Sequence, residues 1–158
     1  IIEEQKEKKI VQAEEEAKEE KKEDKPKTTE DKVKQAVYNA VGEKSSEKKD
    51  RINLLKVNDH MGTDEEGDKL VFVKINGDMV LANRTAEREI LLKAAKLFDE
   101  VFKIEEVSEI SLRWLVPGTS GNEIDATYIT ITRETAEKID WSKPEQIPEL
   151  ADEYKFLR

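Results

Sequence analysis

A chain of 158 residues is long enough for one ordinary domain and short for two. Its formal net charge of −9 argues against a nucleic-acid backbone or an anionic membrane surface as the main partner. The absence of cysteine excludes disulfide bonds, thiolate catalysis and zinc–thiolate sites. No apolar run approaches the roughly 18 residues of a membrane-spanning helix.

Residues 1–28 are dominated by glutamate and lysine, and their apolar positions are too sparse for a continuous coiled-coil seam. This composition predicts a charged stalk or linker, helical or disordered, with a coiled-coil or partner-binding helix as the alternative. The sequence starts at Ile1 without a methionine, so we expect a fragment or processed form whose true N-terminus lies upstream. Residues 29–158 are expected to form a single domain.

The first half of this domain predicts a helix followed by a β-hairpin. The helix is expected between an N-cap at Thr29 and a C-cap at Gly42, because apolar residues recur there at helical spacing. Residues 51–60 and 68–78 are rich in Ile, Leu, Val and Phe and alternate as strands, separated by a turn-rich connection. Asn76-Gly77 supplies a turn signal at the end of the second strand.

The second half predicts a long amphipathic helix over residues 85–104 and another hairpin. Its strands, 107–116 and 125–133, alternate apolar with polar residues. The tail predicts two short helices, the last beginning near Pro148. The order α-β-β-α-β-β-α therefore predicts an α+β fold, a four-stranded and largely antiparallel sheet covered on one face by helices.

The residue types that carry chemistry form no recognisable active site. The single histidine, His60, has no nucleophile pattern beside it. The carboxylates Glu105, Glu106 and Glu109 flank a strand start, where exposed acids are ordinary. The acidic loop 59–68 offers oxygen ligands for Ca²⁺ but does not match the spacing of an EF-hand loop. We predict no catalytic, cofactor-binding or metal-binding residue, and keep a cation-dependent or enzymatic module using this loop as the alternative.

The polar face of the predicted sheet is the candidate partner-binding surface. Alternation places Phe72, Arg113, Tyr128 and Thr130 on the side that the helices leave uncovered. An aromatic ring and a guanidinium on an uncovered sheet can form a platform for a partner. The competing interpretation is an ordinary solvated sheet face, which often carries threonine, tyrosine and arginine.

The end of the chain carries a family resemblance. The residues concerned are Thr132 to Ala136, Lys138, Trp141, Ile147-Pro148, Ala151-Asp152 and Tyr154. They resemble the C-terminal domains of small, mostly uncharacterised proteins of Gram-positive bacteria and their mobile elements. In those proteins a membrane anchor or lipoprotein signal precedes a charged linker. The resemblance implies a location outside the cytoplasm and an architecture, but no reaction, and the anchor would lie outside this sequence.

These observations together predict a non-enzymatic, extracytoplasmic binding domain of a membrane-anchored bacterial protein. Its expected partner is another protein or a component of the cell envelope, with no nucleic acid and no cofactor. Besides the module based on loop 59–68, a further alternative is an intracellular interaction protein with a helical N-terminal arm.

Overall fold

The computed structural model describes residues 28–59, 68–78, 83–118 and 123–156. Within these ranges, five strands form one mixed sheet in the order β1-β2-β3-β4-β5, accompanied by four helices. Along the chain the elements are α1 (Thr29–Val41), β1 (Ile52–Asp59), β2 (Lys69–Asn76), α2 (Asn83–Phe102), β3 (Val107–Pro117), β4 (Glu123–Thr132), α3 (Arg133–Ala136), α4 (Gln146–Leu150) and β5 (Glu153–Phe156).

Two antiparallel hairpins meet at a parallel pair in the centre of the sheet. Strand β1 pairs with β2 and β3 pairs with β4, both antiparallel, whereas β2 and β3 run parallel. Helix α2 is the crossover that returns the chain to the same end of the sheet, as parallel neighbours require. The predicted α+β class is confirmed. The parallel pair could not be predicted from the alternation of side chains, because that pattern does not depend on strand direction.

The sheet has five strands, and the prediction of four was wrong. We expected the residues after Pro148 to continue as a helix, but α4 ends within a few residues and β5 follows it. Tyr154 of β5 pairs with Ile129 of β4, and its hydroxyl donates a hydrogen bond to Glu87 of α2 at 2.7 Å. These tertiary contacts favour the extended conformation, because so short a segment gains little stability as a helix.

The hydrophobic core lies between one face of the sheet and the helices. Side chains at alternate positions of β2, β3 and β4 are almost fully buried, namely Val71, Val73, Ile75, Ile110, Leu112, Trp114, Ile129 and Ile131. Helix α2 covers them with a stripe of apolar residues that includes Leu97, and α1 adds Val33 and Val37. Trp141 joins the tail to this core, because its ring stacks on Phe98 at a centroid distance of 5.8 Å.

Helix α1 begins and ends close to the predicted residues. Its N-cap is Thr28 rather than Thr29, and the Thr28 hydroxyl accepts a hydrogen bond from the Asp31 N–H at 3.2 Å. Gly42 is the C-cap, as predicted, with a φ of +87° that disfavours other residues. The Gly42 N–H donates to the carbonyl of Tyr38 at 2.9 Å, which satisfies one of the last carbonyls of the helix.

Candidate binding surface

One side of the sheet faces away from the core. We call this side the open face and define it by Phe72, Lys74, Ser111, Arg113 and Tyr128, which alternate with the buried residues of β2, β3 and β4. All five side chains remain partly exposed. The helices in the described part of the chain contribute their buried residues to the opposite side. The open face is therefore available for a contact with another molecule.

The register of the strands arranges the open face in rows that cross the sheet. Two such rows run through its centre, and in each of them every residue lies directly opposite the next on the neighbouring strand. The first row is Leu54, Lys74, Arg113, Tyr128 and Lys155, and the second is Lys56, Phe72, Ser111, Thr130 and Glu153. Neighbouring strands are about 4.8 Å apart, so side chains along a row are close enough to interact.

Arg113 is held between two aromatic rings at the centre of the open face. Its guanidinium carbon lies 5.6 Å from the centre of the Phe72 ring and 5.4 Å from the centre of the Tyr128 ring. Each such contact contributes about 0.5–1 kcal/mol at an exposed site and restricts the orientation of the guanidinium. Among the described residues, the side chain of Arg113 has no hydrogen-bond or ion-pair partner. The guanidinium is thus held in place by the two rings, while its N–H groups donate no hydrogen bond to a described residue.

Three of the four predicted contact residues come together in this way, and the fourth does not. Thr130 is only 7% exposed, and its hydroxyl is hydrogen-bonded to that of Ser111 at 3.1 Å. The pair links β3 to β4 within the sheet. Thr130 therefore offers a partner little surface, because the neighbouring side chains cover it.

A cleft of about 570 Å³ adjoins Arg113 where β5 pairs with β4. Besides Arg113 and Tyr128, it is lined by the charged residues Asp125, Glu153 and Lys155. None of these three was predicted as a site residue, and Glu153 and Lys155 were missed because we expected the end of the chain to be a helix. The alternation of Tyr154 and Phe156 with charged residues is the signal in the sequence that indicates a strand there.

Tyr154 lines the same cleft but points to the core side of the sheet. Burial, together with the hydrogen bond to Glu87, raises the pKa of the Tyr154 phenol well above its ordinary value. The phenol therefore stays protonated and continues to donate this hydrogen bond at physiological pH. Its role is to fix β5, and with it Lys155, at the edge of the open face.

The carboxylates considered for catalysis do not form an acid–base pair. Glu106 accepts a hydrogen bond from Lys32 at 2.7 Å and another from the Thr29 hydroxyl at 3.3 Å. The Lys32 contact lowers the pKa of Glu106, which keeps this carboxylate charged. Its role is to join α1 to the start of β3. Glu109 instead lies on β3 opposite Thr132.

A second charged cluster fixes the end of β2. Arg51 is 5% exposed and donates to the carbonyls of Asn76 and Lys44, each at 3.0 Å. It also forms an ion pair with Asp78 at 3.1 Å, and Asp78 is paired with Lys93 of α2 as well. These bonds connect the loop before β1, the end of β2 and α2. The charges of Arg51, Asp78 and Lys93 are paired with one another, and among the described residues only the buried Nε of Arg51 has no hydrogen-bond partner in this cluster. We therefore assign the cluster a structural role.

Most of the acidic loop 59–68 lies outside the described residues, as does His60. Asp59, at its start, pairs with Lys69 across the first hairpin. The described residues hold no group of three or more side chains suited to a metal ion. The cation-dependent alternative for this loop stays a prediction. Most of the loop between β3 and β4 also lies outside the described residues, since residues 119–122 are not described.

The residues that carry the family resemblance hold the end of the chain in place. Arg133 donates to the carbonyls of Val107, Phe102 and Ile104, at 2.9, 3.1 and 2.7 Å, and so caps the end of α2. Asp152 accepts a hydrogen bond from the Thr132 N–H at 2.8 Å. Each of these contacts is structural.

In the described part of the chain, no helix is long and apolar enough to cross a membrane. No protein-family model, no curated protein and no solved structure matches this sequence. The resemblance to extracytoplasmic domains of Gram-positive bacteria, and the location that it implies, stay predictions.

Proposed function

We propose that this domain binds another protein through the open face, with Arg113 as the central contact, and that it catalyses no reaction. One observation carries the proposal. An arginine is held between two aromatic rings on a sheet face from which the described helices are absent, and it has no other partner there. A side chain ordered in this way loses little entropy when a partner binds.

The composition of the surface supports a protein partner. Arginine, tyrosine and phenylalanine are enriched at the centres of protein interfaces, where a few of them supply most of the binding energy. Phe72, Arg113 and Tyr128 lie on three adjacent strands and form one continuous patch. The adjoining cleft gives this patch a concave border into which a partner side chain could fit.

The location belongs to the proposal as well. We propose that the domain lies outside the cytoplasm and that residues 1–28 connect it to a membrane anchor encoded upstream. This part rests on the resemblance and on the glutamate- and lysine-rich composition of those residues. Sequencing the complete gene tests it. A full-length protein without any signal or membrane segment upstream would contradict the location while leaving the binding proposal intact.

The binding proposal is tested by disrupting the open face. Arg113→Glu combined with Tyr128→Ala reverses the central charge and removes one ring that orients it. We expect this variant to lose capture of proteins that the immobilised wild-type chain enriches from an extract of its source cells, as quantified by mass spectrometry. A thermal unfolding transition close to that of the wild type shows that the fold is retained.

The chain offers a matched control on another surface. Lys34 of α1 lies over the Tyr38 ring at 5.9 Å, so Lys34→Glu combined with Tyr38→Ala makes the same kinds of chemical change away from the open face. The control also loses the hydrogen bond from Tyr38 to Asp50, and its unfolding transition is recorded for that reason. Capture retained by the control and lost by the open-face variant supports the proposal. Capture retained by both variants contradicts it.

A further inference from the structure

We propose that the open face recognises a short acidic peptide segment that crosses the strands and places carboxylates on Lys74, Arg113 and Lys155. This inference rests on the proposed function, and it adds the chemistry of the partner. It is carried by the position of these three cations in one row, with Tyr128 between the last two.

The spacing of the row suits a peptide. Lys74 and Arg113 lie directly opposite on adjacent strands, about 4.8 Å apart, and Lys155 is two strands beyond Arg113, about 10 Å away. The three cations span roughly 15 Å, which an extended chain of about five residues covers at about 3.3 Å per residue. A short segment is therefore sufficient to contact all three cations.

The cations of the row have unused charge. Among the described residues, the side chains of Lys74, Arg113 and Lys155 take part in no hydrogen bond and no ion pair. Like charges directly opposite each other on neighbouring strands are destabilising, so Lys74 beside Arg113 costs free energy in the unbound protein. A carboxylate bound between Lys74 and Arg113 would offset that repulsion, and the free energy recovered would strengthen binding of the ligand that carries the carboxylate.

The surroundings of Arg113 determine how it can be approached. The guanidinium carbon of Arg113 lies over the rings of Phe72 and Tyr128, and no described residue pairs with its N–H groups, which therefore remain for a ligand. A carboxylate can accept two parallel hydrogen bonds from a guanidinium, which an ammonium group cannot reproduce. Arg113 is thus the specific contact, while Lys74 and Lys155 supply charge at its two sides.

Acidic residues border the row and restrict what can bind. On the open face, Asp125 lies about 7 Å from the row along the strands in one direction, and Glu153 about 7 Å in the other. Glu109 lies farther out on the side of Glu153. With the net charge of −9, these carboxylates repel a long polyanion that extends beyond the row. A short acidic segment avoids them, which favours a peptide over a nucleic acid or a phosphate polymer.

The test is an unbiased selection. Random peptides of about twelve residues, longer than the roughly five needed to span the row, are displayed on phage and selected on the immobilised full chain. Peptides that also bind the variant Arg113→Glu with Tyr128→Ala are discarded. We expect the remaining peptides to be rich in Asp and Glu and to bind more weakly as salt is raised.

Single charge reversals then assign the contacts. Arg113→Glu should weaken a selected peptide by more than about tenfold, and Lys74→Glu and Lys155→Glu by several-fold each, since each removes a paired charge. Lys34→Glu, the same charge change on α1, should leave the dissociation constant unchanged. Fluorescence anisotropy of labelled synthetic peptides provides the measurement, and thermal unfolding confirms that each variant is folded.

The outcomes separate this inference from the proposed function. Selected peptides that depend on the open face but are neutral or basic would overturn the acidic specificity and leave the proposed function standing. If no selected peptide depends on the open face, the peptide inference is overturned, whereas the proposed function is decided separately by the capture experiment with the same open-face variant. Inorganic polyphosphate serves as a further probe: binding at the open face as tight as that of the selected peptides would overturn the preference for a peptide.

Discussion

The indole nitrogen of Trp114 lies against Gly77, at the point where β2 leaves the sheet. A Cβ atom at residue 77 would be 2.1 Å from Nε1 of Trp114 and 2.6 Å from the carbonyl oxygen of Leu115. That same carbonyl accepts a hydrogen bond from the Gly77 N–H at 2.7 Å. Trp114 is 1% exposed, so its ring is enclosed and cannot move aside easily. Gly77 therefore permits the end of β2 to lie directly against β3.

Gly77→Ala is expected to destabilise the domain by roughly 2–3 kcal/mol, because the new methyl group overlaps both the buried indole and the backbone. Gly42→Ala tests a different cause. No atom lies within 4 Å of the Cβ added there, but its φ of +87° and ψ of 168° lie in a region essentially restricted to glycine, which costs about 1–3 kcal/mol. Urea unfolding of both variants gives the two free energies. A loss at Gly77 below about 0.5 kcal/mol would show that the two strands do not approach this closely.

This contact illustrates what local sequence patterns can and cannot supply. Asn76-Gly77 was correctly interpreted as a strand end, because turn preference is a property of neighbouring residues. The sequence did not show that residue 77 must be glycine, because the side chain that a Cβ atom would overlap belongs to Trp114 of β3, which follows β2 only after the whole of helix α2. The long helix and the second hairpin were predictable for the same local reason. Apolar residues recur about every 3.6 positions in a helix and every 2.0 positions in a strand, so both patterns are visible within a short stretch of sequence.

The sequence predicted the residues at the centre of the candidate surface but not those at its edge on β5. Phe72, Arg113 and Tyr128 were assigned to one face by alternation alone, and the structure brings them into contact. Thr130 was assigned to the same face, but burial depends on the size of its neighbours, which alternation does not report. Lys155 was missed because β5 has four residues and owes its conformation to pairing with β4. Tertiary pairing of this kind leaves only a weak local signature.

Two leucines of α2 provide a test of the packing. Leu97 is fully buried, whereas Leu92 is 42% exposed on the same helix. Leu97→Ala should cost about 2–5 kcal/mol through lost burial and the cavity that remains. Leu92→Ala should cost less than about 1 kcal/mol, because its side chain already contacts water. Chemical denaturation measures both values. Equal losses for the two variants would contradict the orientation of α2 on the sheet.

The Asp78 carboxylate gives the fold a dependence on pH. Burial alone would raise its pKa, but the hydrogen bonds from Lys93 and the Ser46 N–H and the charge of Arg51 outweigh this effect and lower it. The side chain is 22% exposed, so solvent screens these interactions only in part. A carboxyl whose pKa is lower in the folded protein than its ordinary value near 3.8 stabilises the fold above that value. The stabilisation is lost as the pH falls through the folded-state pKa.

Asp78→Asn should therefore lower the free energy of unfolding by roughly 1–3 kcal/mol at pH 7, since the amide keeps the shape but not the charge. The difference from the wild type should shrink below about pH 4, where protonation removes the same charge from the wild-type protein. Urea unfolding at a series of pH values measures it, with Glu89→Gln, an exposed residue of α2, as the control expected to change stability by less than about 0.5 kcal/mol throughout. A wild-type advantage that stays constant from pH 7 to about pH 3 would show that the contribution of Asp78 does not come from its charge.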